Sequence, residues 1–143
     1  MLIASIWGED MFLTDSVCAM HFAAPCVNKM VTPAGPVPVP LFNISMSCSA
    51  LPNILNIFSQ GRPAQNLLSM GALSTGSEPC APLGGLMSQR FDGSAKNLMG
   101  SFKVFIGGAP VKRFLDPTGQ NGIIPNSFGL TITISNFFRM VMT

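Results

Sequence analysis

The sequence predicts a mainly β domain of short strands and hairpins, rich in Pro and Gly and with little helix. Three observations lead there. Gly and Pro together make about 18% of the 143 residues, against a usual ~12%, and both interrupt helices. Pro36, Pro38 and Pro40 alternate with Val37 and Val39, a period of two. Glycine turns flanked by apolar runs recur at Gly61 and at Gly107-Gly108.

The elements follow in order. Residues 1–23 read as an N-terminal segment packing on or flanking the core, with a helical turn as one option over Asp15 to Met20, and residues 24–143 as the β domain. Thr32-Pro33-Ala34-Gly35 is a turn signal. After it, each proline lacks an N–H and holds its predecessor extended, so Gly35 to Ile44 predicts a strand whose proline side lies at an edge. Asn53 to Phe58 and Phe102 to Ile106 each predict a strand, followed by a tight glycine turn and a short strand with Pro63 or Pro110 near its start. The two segments align at one offset, Ile57 with Val104, Gly61 with Gly108 and Pro63 with Pro110, and read as a candidate repeat of one hairpin unit. Residues 68–101, rich in Gly and Ser, predict connections across a compact core. Asp116-Pro117-Thr118-Gly119-Gln120-Asn121-Gly122 predicts a polar turn. Leu130 to Ile134 alternates as a half-buried strand does, and Phe137 to Met142 predicts either a last strand or an apolar tail.

Composition removes several classes of function. Charged residues are 10% of the chain and the net charge is +2, against a usual quarter charged. No basic cluster marks a nucleic-acid groove: Lys112-Arg113 is read as a solvated pair, and Arg90, Lys96 and Lys103 are scattered. No apolar run reaches the ~18–20 residues of a spanning helix. The first residues lack a basic region ahead of Glu9 and Asp10, so no secretory signal peptide is expected. So neutral a surface predicts that part of it is covered by a partner.

Enzyme chemistry finds little support. His21 is the sole histidine, and no serine, among them Ser45 and Ser47, sits in a nucleophile elbow. Asp10, Asp15, Asp92 and Asp116 have no spacing that pairs them, and no phosphate-binding glycine loop is present. Zinc takes four N or S ligands. Cys18, His21 and Cys26 fall within nine residues, and Cys48 or Cys80 closes such a shell, so His21, Cys26, Cys48 and Cys80 are the candidate metal ligands. The alternative for the cysteines is small buried hydrophobes in reduced form.

The run Thr32-Pro33-Ala34-Gly35-Pro36-Val37-Pro38-Val39-Pro40 with Asn43-Ile44 resembles the opening of PAAR-like domains, relatives of the proline-alanine-alanine-arginine repeat proteins of type VI secretion and other contractile injection systems. Gly100 to Arg113 resembles the second family signature, Gly61 to Asn66 an intermediate copy, and Asp116-Pro117-Thr118 with Asn121-Gly122 the family's following turn. The likeness covers roughly residues 24–125. It implies a small cone- or pyramid-like β domain whose base docks on the blunt end of a trimeric, gp5-like spike protein, one tip per trimer, with a sharp apex leading envelope penetration. It also implies a non-catalytic role, carriage of effectors as an adaptor, only transient membrane contact, and passage from the bacterial cytoplasm through the apparatus. The structural signature residues are then Pro33, Gly35, Pro36, Pro38, Pro40, Asn43, Gly61, Pro63, Gly107, Gly108, Pro110, Asp116, Pro117 and Asn121. The family's zinc-bearing branch uses several His and a Cys near the apex. Cys26 stands at a position resembling that Cys, and Gln120 where His is usual, so Zn2+ and no metal both stay open. Exposed strand edges and apolar patches are expected to be closed by strand addition and packing on the trimer. Two other classes stay open: a small metal-dependent or hydrolytic effector using Cys26, His21 or Asp116, and a membrane-active or chaperone-like binding module.

Overall fold

A computed structural model describes residues 2–4, 19–59, 62–113, 115–132 and 140–142. The strands are β1 (Leu2–Ala4), β2 (Met20–Thr32), β3 (Gly35–Met46), β4 (Ala50–Leu51), β5 (Ile54–Ser59), β6 (Arg62–Ala64) and β7 (Met70–Gly71). They continue with β8 (Ser74–Thr75), β9 (Lys96–Asn97), β10 (Phe105–Ile106), β11 (Ala109–Pro110), β12 (Pro117–Gln120), β13 (Ser127–Ile132) and β14 (Met140–Met142). The only helical pieces among the described residues are single 3-10 turns at Ser47–Ser49 and Glu78–Cys80. The chain is mainly β, as the sequence predicts.

The main sheet is antiparallel, in the order β8-β3-β2-β13-β12-β9, and a second sheet runs β1-β14-β5-β6. A small apolar core, Ile106 and Val111 with Ile54, Ile57 and Val104 against them, lies between the β5 and β10–β11 hairpins. The two hairpins are equivalent in register. Phe58 pairs with Pro63 and Ser59 with Arg62, and at the same offset Phe105 pairs with Pro110 and Ile106 with Ala109. Gly107 and Gly108 take φ of +60° and +81°, the left-handed pair that a type I′ hairpin turn needs. Gly61, its counterpart, lies outside the described residues, as do Asp15 to Cys18 and residues 137–139.

Three sequence expectations change. The strand predicted from Phe102 begins only at Phe105, because the Ser101 hydroxyl accepts the N–H groups of Lys103 and Val104 at 3.2 Å and bends the chain there. The predicted polar turn from Asp116 is mostly strand: β12 is paired on both sides, and Thr118, Gly119 and Gln120 are buried. The turn itself falls at 121–126, starting at Asn121 with φ of +64°. Met20, expected in a helical turn, opens β2 instead.

The reason β12 was legible as a turn is that the main sheet is polar on its inner side. Cross-strand register places Ser45, His21 and Thr131 in one inner row, and Asn43, Ala23, Gly129 and Thr118 in the next. All but Gly129 are buried. The intervening residues Met46, Phe42, Phe22, Phe128 and Leu130 point the other way and are exposed. Side chains alternate between faces with period two, so the burial pattern fixes an apolar face outside and a polar face inside. The largest fully buried side chains are Lys112, Gln65 and Gln120.

The prolines of β3 have a positional logic. The two-residue loop Pro33-Ala34 makes Thr32 and Gly35 a facing pair, hydrogen-bonded as the closing pair of such hairpins is. Bonded and non-bonded pairs then alternate, so Val37 and Val39 face β2 with their N–H groups. Pro36, Pro38 and Pro40 fall on the intervening pairs, opposite Val31, Lys29 and Val27. The missing N–H groups are therefore the ones that would point away from β2. β8 covers this edge only at Ile44 and Ser45. The rest offers carbonyls without donors and cannot template a full antiparallel strand. Replacing Pro36, Pro38 and Pro40 together by Val should leave the circular dichroism spectrum unchanged and convert a monodisperse chain to higher oligomers in size-exclusion chromatography with light scattering. A triple variant with the wild-type elution profile would contradict this role.

Candidate functional site

Two features carry chemistry, one on each side of the main sheet. Outside, Phe22 and Phe42 stack with ring centroids 6.3 Å apart, and Phe128 and Leu130 on β13 continue the patch at 66% and 47% exposure. β13 and β2 approach closely at Gly129, where a Cβ would lie 2.1 Å from the Phe22 carbonyl oxygen. Single exposed apolar residues are ordinary on a protein surface, but a contiguous sheet face of Phe, Leu and Met is the mark of a contact site.

Inside, the hydrogen bonds of buried side chains tie the elements together. The Lys112 ammonium donates to Gln65 Oε1 at 2.9 Å, joining the two positions that the hairpin repeat makes equivalent. Gln65 Nε2 in turn donates to the Ser47 carbonyl at 2.7 Å and to Asn53 Oδ1 at 2.9 Å. Asn66 Nδ2 donates to the Ile106 carbonyl at 3.1 Å. The basic pair Lys112-Arg113, read from sequence as a solvated face, is thus drawn inward. Lys112 is fully buried, and Arg113 reaches Asp116 at 3.4 Å. Asp116 also accepts the Arg113 backbone N–H at 2.7 Å, so its carboxylate closes a turn.

The third internal group surrounds Cys26. Asn126 Nδ2 lies 3.0 Å from Cys26 Sγ and donates to the Val27 carbonyl at 2.8 Å and Asn28 Oδ1 at 3.3 Å. Asn28 Nδ2 lies 3.5 Å from the same sulfur and donates to the Cys26 carbonyl at 3.3 Å. Asn121 Nδ2 donates to Asn28 Oδ1 at 3.2 Å and lies 3.9 Å from the sulfur. The thiol can return a donor to Asn28 Oδ1 at 3.7 Å.

The candidate metal ligands are placed as follows. Cys26 and Cys80 are buried free thiols and neighbours: burial first, then Cys26, pushes the Cys80 thiol up. Cys48 is exposed on the 3-10 turn after β3. His21 is buried and its Nδ1 lies 3.0 Å from Thr131 Oγ1. No three metal-ligating residues converge among the described residues. Zinc takes imidazole nitrogen, thiolate or carboxylate. Around Cys26 the neighbours are the Cys80 thiol and neutral amides, and Gln120 is a buried amide as well, so two ligand-type side chains at most meet there among the described residues. The amide oxygens of Asn121 and Asn126 are already engaged by the backbone N–H groups of Gly93 at 3.0 Å and Met87 at 2.9 Å. The residues present do not fit a zinc centre.

The signature positions fall on the hairpin turns and the inner face. Pro33 and Gly35 form the β2–β3 turn, Pro36, Pro38 and Pro40 the guarded edge, and Asn43 an inner row. Pro63 and Pro110 open the return strands of the repeated hairpins. Pro117 starts β12, and Asn121 ends it inside the amide group around Cys26. Asn28, Asn126, Gln65 and Lys112 escape a sequence reading. Only Asn28 lies on a strand, while Gln65, Lys112 and Asn126 fall in connections, where polar side chains are ordinarily presented to solvent.

Burial, and then the charge of Lys112, lower the His21 pKa from 6.5 to about 3. The folded chain thus holds His21 neutral where the unfolded chain protonates it. Its contribution to stability is complete above pH 6.5 and is lost as the pH falls toward 3. The melting temperature of the wild type should fall more steeply over that window than that of a His21→Gln variant. Parallel curves would contradict a buried neutral His21.

No curated protein and no solved structure matches the chain significantly. The family model described as the toxin PAAR-like domain matches residues 19–127, from the residue before β2 to the first residue of β13. That span holds both hairpins, the proline edge and the amide group, and the chain therefore belongs to the PAAR-like domain family.

Proposed function

We propose that the chain is the non-catalytic tip of a contractile injection machine of the type VI secretion class, capping a trimeric spike protein with one chain per trimer. The observation that carries this reading is the inverted main sheet, with Phe22, Phe42, Phe128 and Leu130 outside and buried polar side chains inside. An enzyme places its polar, reactive groups where substrate reaches them. Here they are buried, while the exposed face of Phe22, Phe42, Phe128 and Leu130 is apolar and uncharged. Such a face suits the blunt, neutral end of another protein. Family membership supports the same assignment, since PAAR-like domains are associated with secretion spikes.

Mechanical work in this reading comes from the machine that drives the spike. The domain contributes shape and stiffness. Pro-rich strands lose little backbone entropy on folding, and directional internal hydrogen bonds resist shear better than a sliding apolar core. The chain would wait in the bacterial cytoplasm, leave through the apparatus, touch the target envelope transiently and carry effectors as an adaptor.

Coexpression with a trimeric spike protein, followed by native mass spectrometry, tests the assignment. One tip chain per three spike chains is expected. A Phe128→Asp/Leu130→Asp variant should bind roughly tenfold or more weakly, with an unchanged circular dichroism spectrum. A complex holding one tip per single spike chain, or no complex with the wild type, would refute the proposal.

A further inference from the structure

The resemblance leaves zinc and no metal both open, and the amide group around Cys26 favours the second. Cys26 and Asn28 lie on β2, Asn121 and Asn126 bracket the turn between β12 and β13, and Gly93 and Met87 lie on the long connection before β9. Every amide orientation is fixed by a backbone partner. Asn121 Oδ1 accepts from Gly93 and Asn126 Oδ1 from Met87, so the two NH2 groups must face inward, toward Asn28 Oδ1 and the Cys26 sulfur. Turning either amide to offer its oxygen to a cation would leave those backbone donors unmet, at a cost of about 1–3 kcal/mol each. The sulfur is enclosed by amide donors, with the Cys80 thiol as the one other ligand-type side chain beside it among the described residues, and Cys26 is 0% exposed. Backbone contacts add to the junction: Lys29 N–H donates to the Gly84 carbonyl at 2.8 Å and Leu86 N–H to the Val27 carbonyl at 3.0 Å.

We infer that this chain has exchanged metal ligation for an amide clasp. Asn28, Asn121 and Asn126, closing on Cys26, hold β2, the 85–93 connection and the 121–126 turn in the arrangement that a bound metal enforces in a metal-stapled domain of this size. The domain is accordingly metal-independent. The inference does not depend on what the chain docks to, because its test reads metal content and stability alone.

The full chain is purified without added metal, its zinc measured by elemental analysis, and its melting temperature recorded alone, with a chelator, and with one equivalent of zinc sulfate. Substoichiometric zinc and a melting temperature unmoved by chelator or zinc are expected. One zinc per chain with a chelator-induced fall, or a rise on adding zinc, would overturn the inference. Two variants separate clasp from ligand. Asn126→Leu removes the donor to Cys26, Val27 and Asn28 and the acceptor for Met87, and should lower the melting temperature by about 10 °C. Cys26→Ser keeps an acceptor in place and should cost less than Asn126→Leu. The reverse order, or an Asn126→Leu chain as stable as the wild type, contradicts the clasp. If Asn126→Leu does not fold at all, the wild-type zinc and chelator measurements decide alone.

Discussion

The inner side of the main sheet is filled by small and polar side chains rather than by large apolar ones, and the rest of the structure follows from that restriction. Ala19, Ala23 and Cys26 are the fully buried apolar residues of β2 and its entry, and Gly129 presses its backbone against Phe22 and Ala23. The inner rows are otherwise filled by Asn43, Ser45, His21, Thr131 and Thr118. Ser45 donates to the Leu73 carbonyl and His21 bonds to Thr131, while the side-chain polar atoms of Asn43 and Thr118 have no partner among the described residues. A buried polar group without a partner costs about 1–3 kcal/mol, and a bonded one returns about 1. Where the inner polar groups are bonded, as in Lys112–Gln65 and the amides around Cys26, they fix positions more sharply than apolar packing does.

Displaced from the interior, the large apolar residues go outward. Phe22, Phe42, Phe128 and Leu130 form a face that water covers poorly. The proline edge of β3 controls how a partner can use that surface. Because Pro36, Pro38 and Pro40 withhold the donors that an added strand would need, this long edge is closed to full strand addition, as the alternating prolines predict. Association through apolar side chains remains. A tip that must join one spike and no second copy of itself gains specificity from such an edge.

Much of this was legible in the residues. The alternating prolines fix an edge strand, because only an edge tolerates missing donors. The offset between the two Gly-x-Pro hairpins is kept in the pairings Phe58 with Pro63 and Phe105 with Pro110. What could not be read was which way the strands face. Thr118-Gly119-Gln120 has the composition of a solvent-exposed turn and is buried strand, and Lys112 has the charge of a surface residue and none of the exposure. Sequence polarity predicts burial only where the interior is apolar. For the same reason closeness in sequence groups Cys18, His21 and Cys26, whereas the residues that meet Cys26 are Asn28 beside it, Cys80, and Asn121 and Asn126 from across the sheet.

The inversion of the main sheet is open to direct observation by carbene footprinting of the isolated chain and of its complex with a trimeric spike, read by peptide mass spectrometry. The account predicts heavy labelling at Phe22, Phe42, Phe128 and Leu130 in the free chain and protection in the complex, with Asn28, Gln65 and Lys112 unlabelled in both. Labelling of Gln65 and Lys112 in the folded free chain, with those four apolar residues already protected, would contradict it.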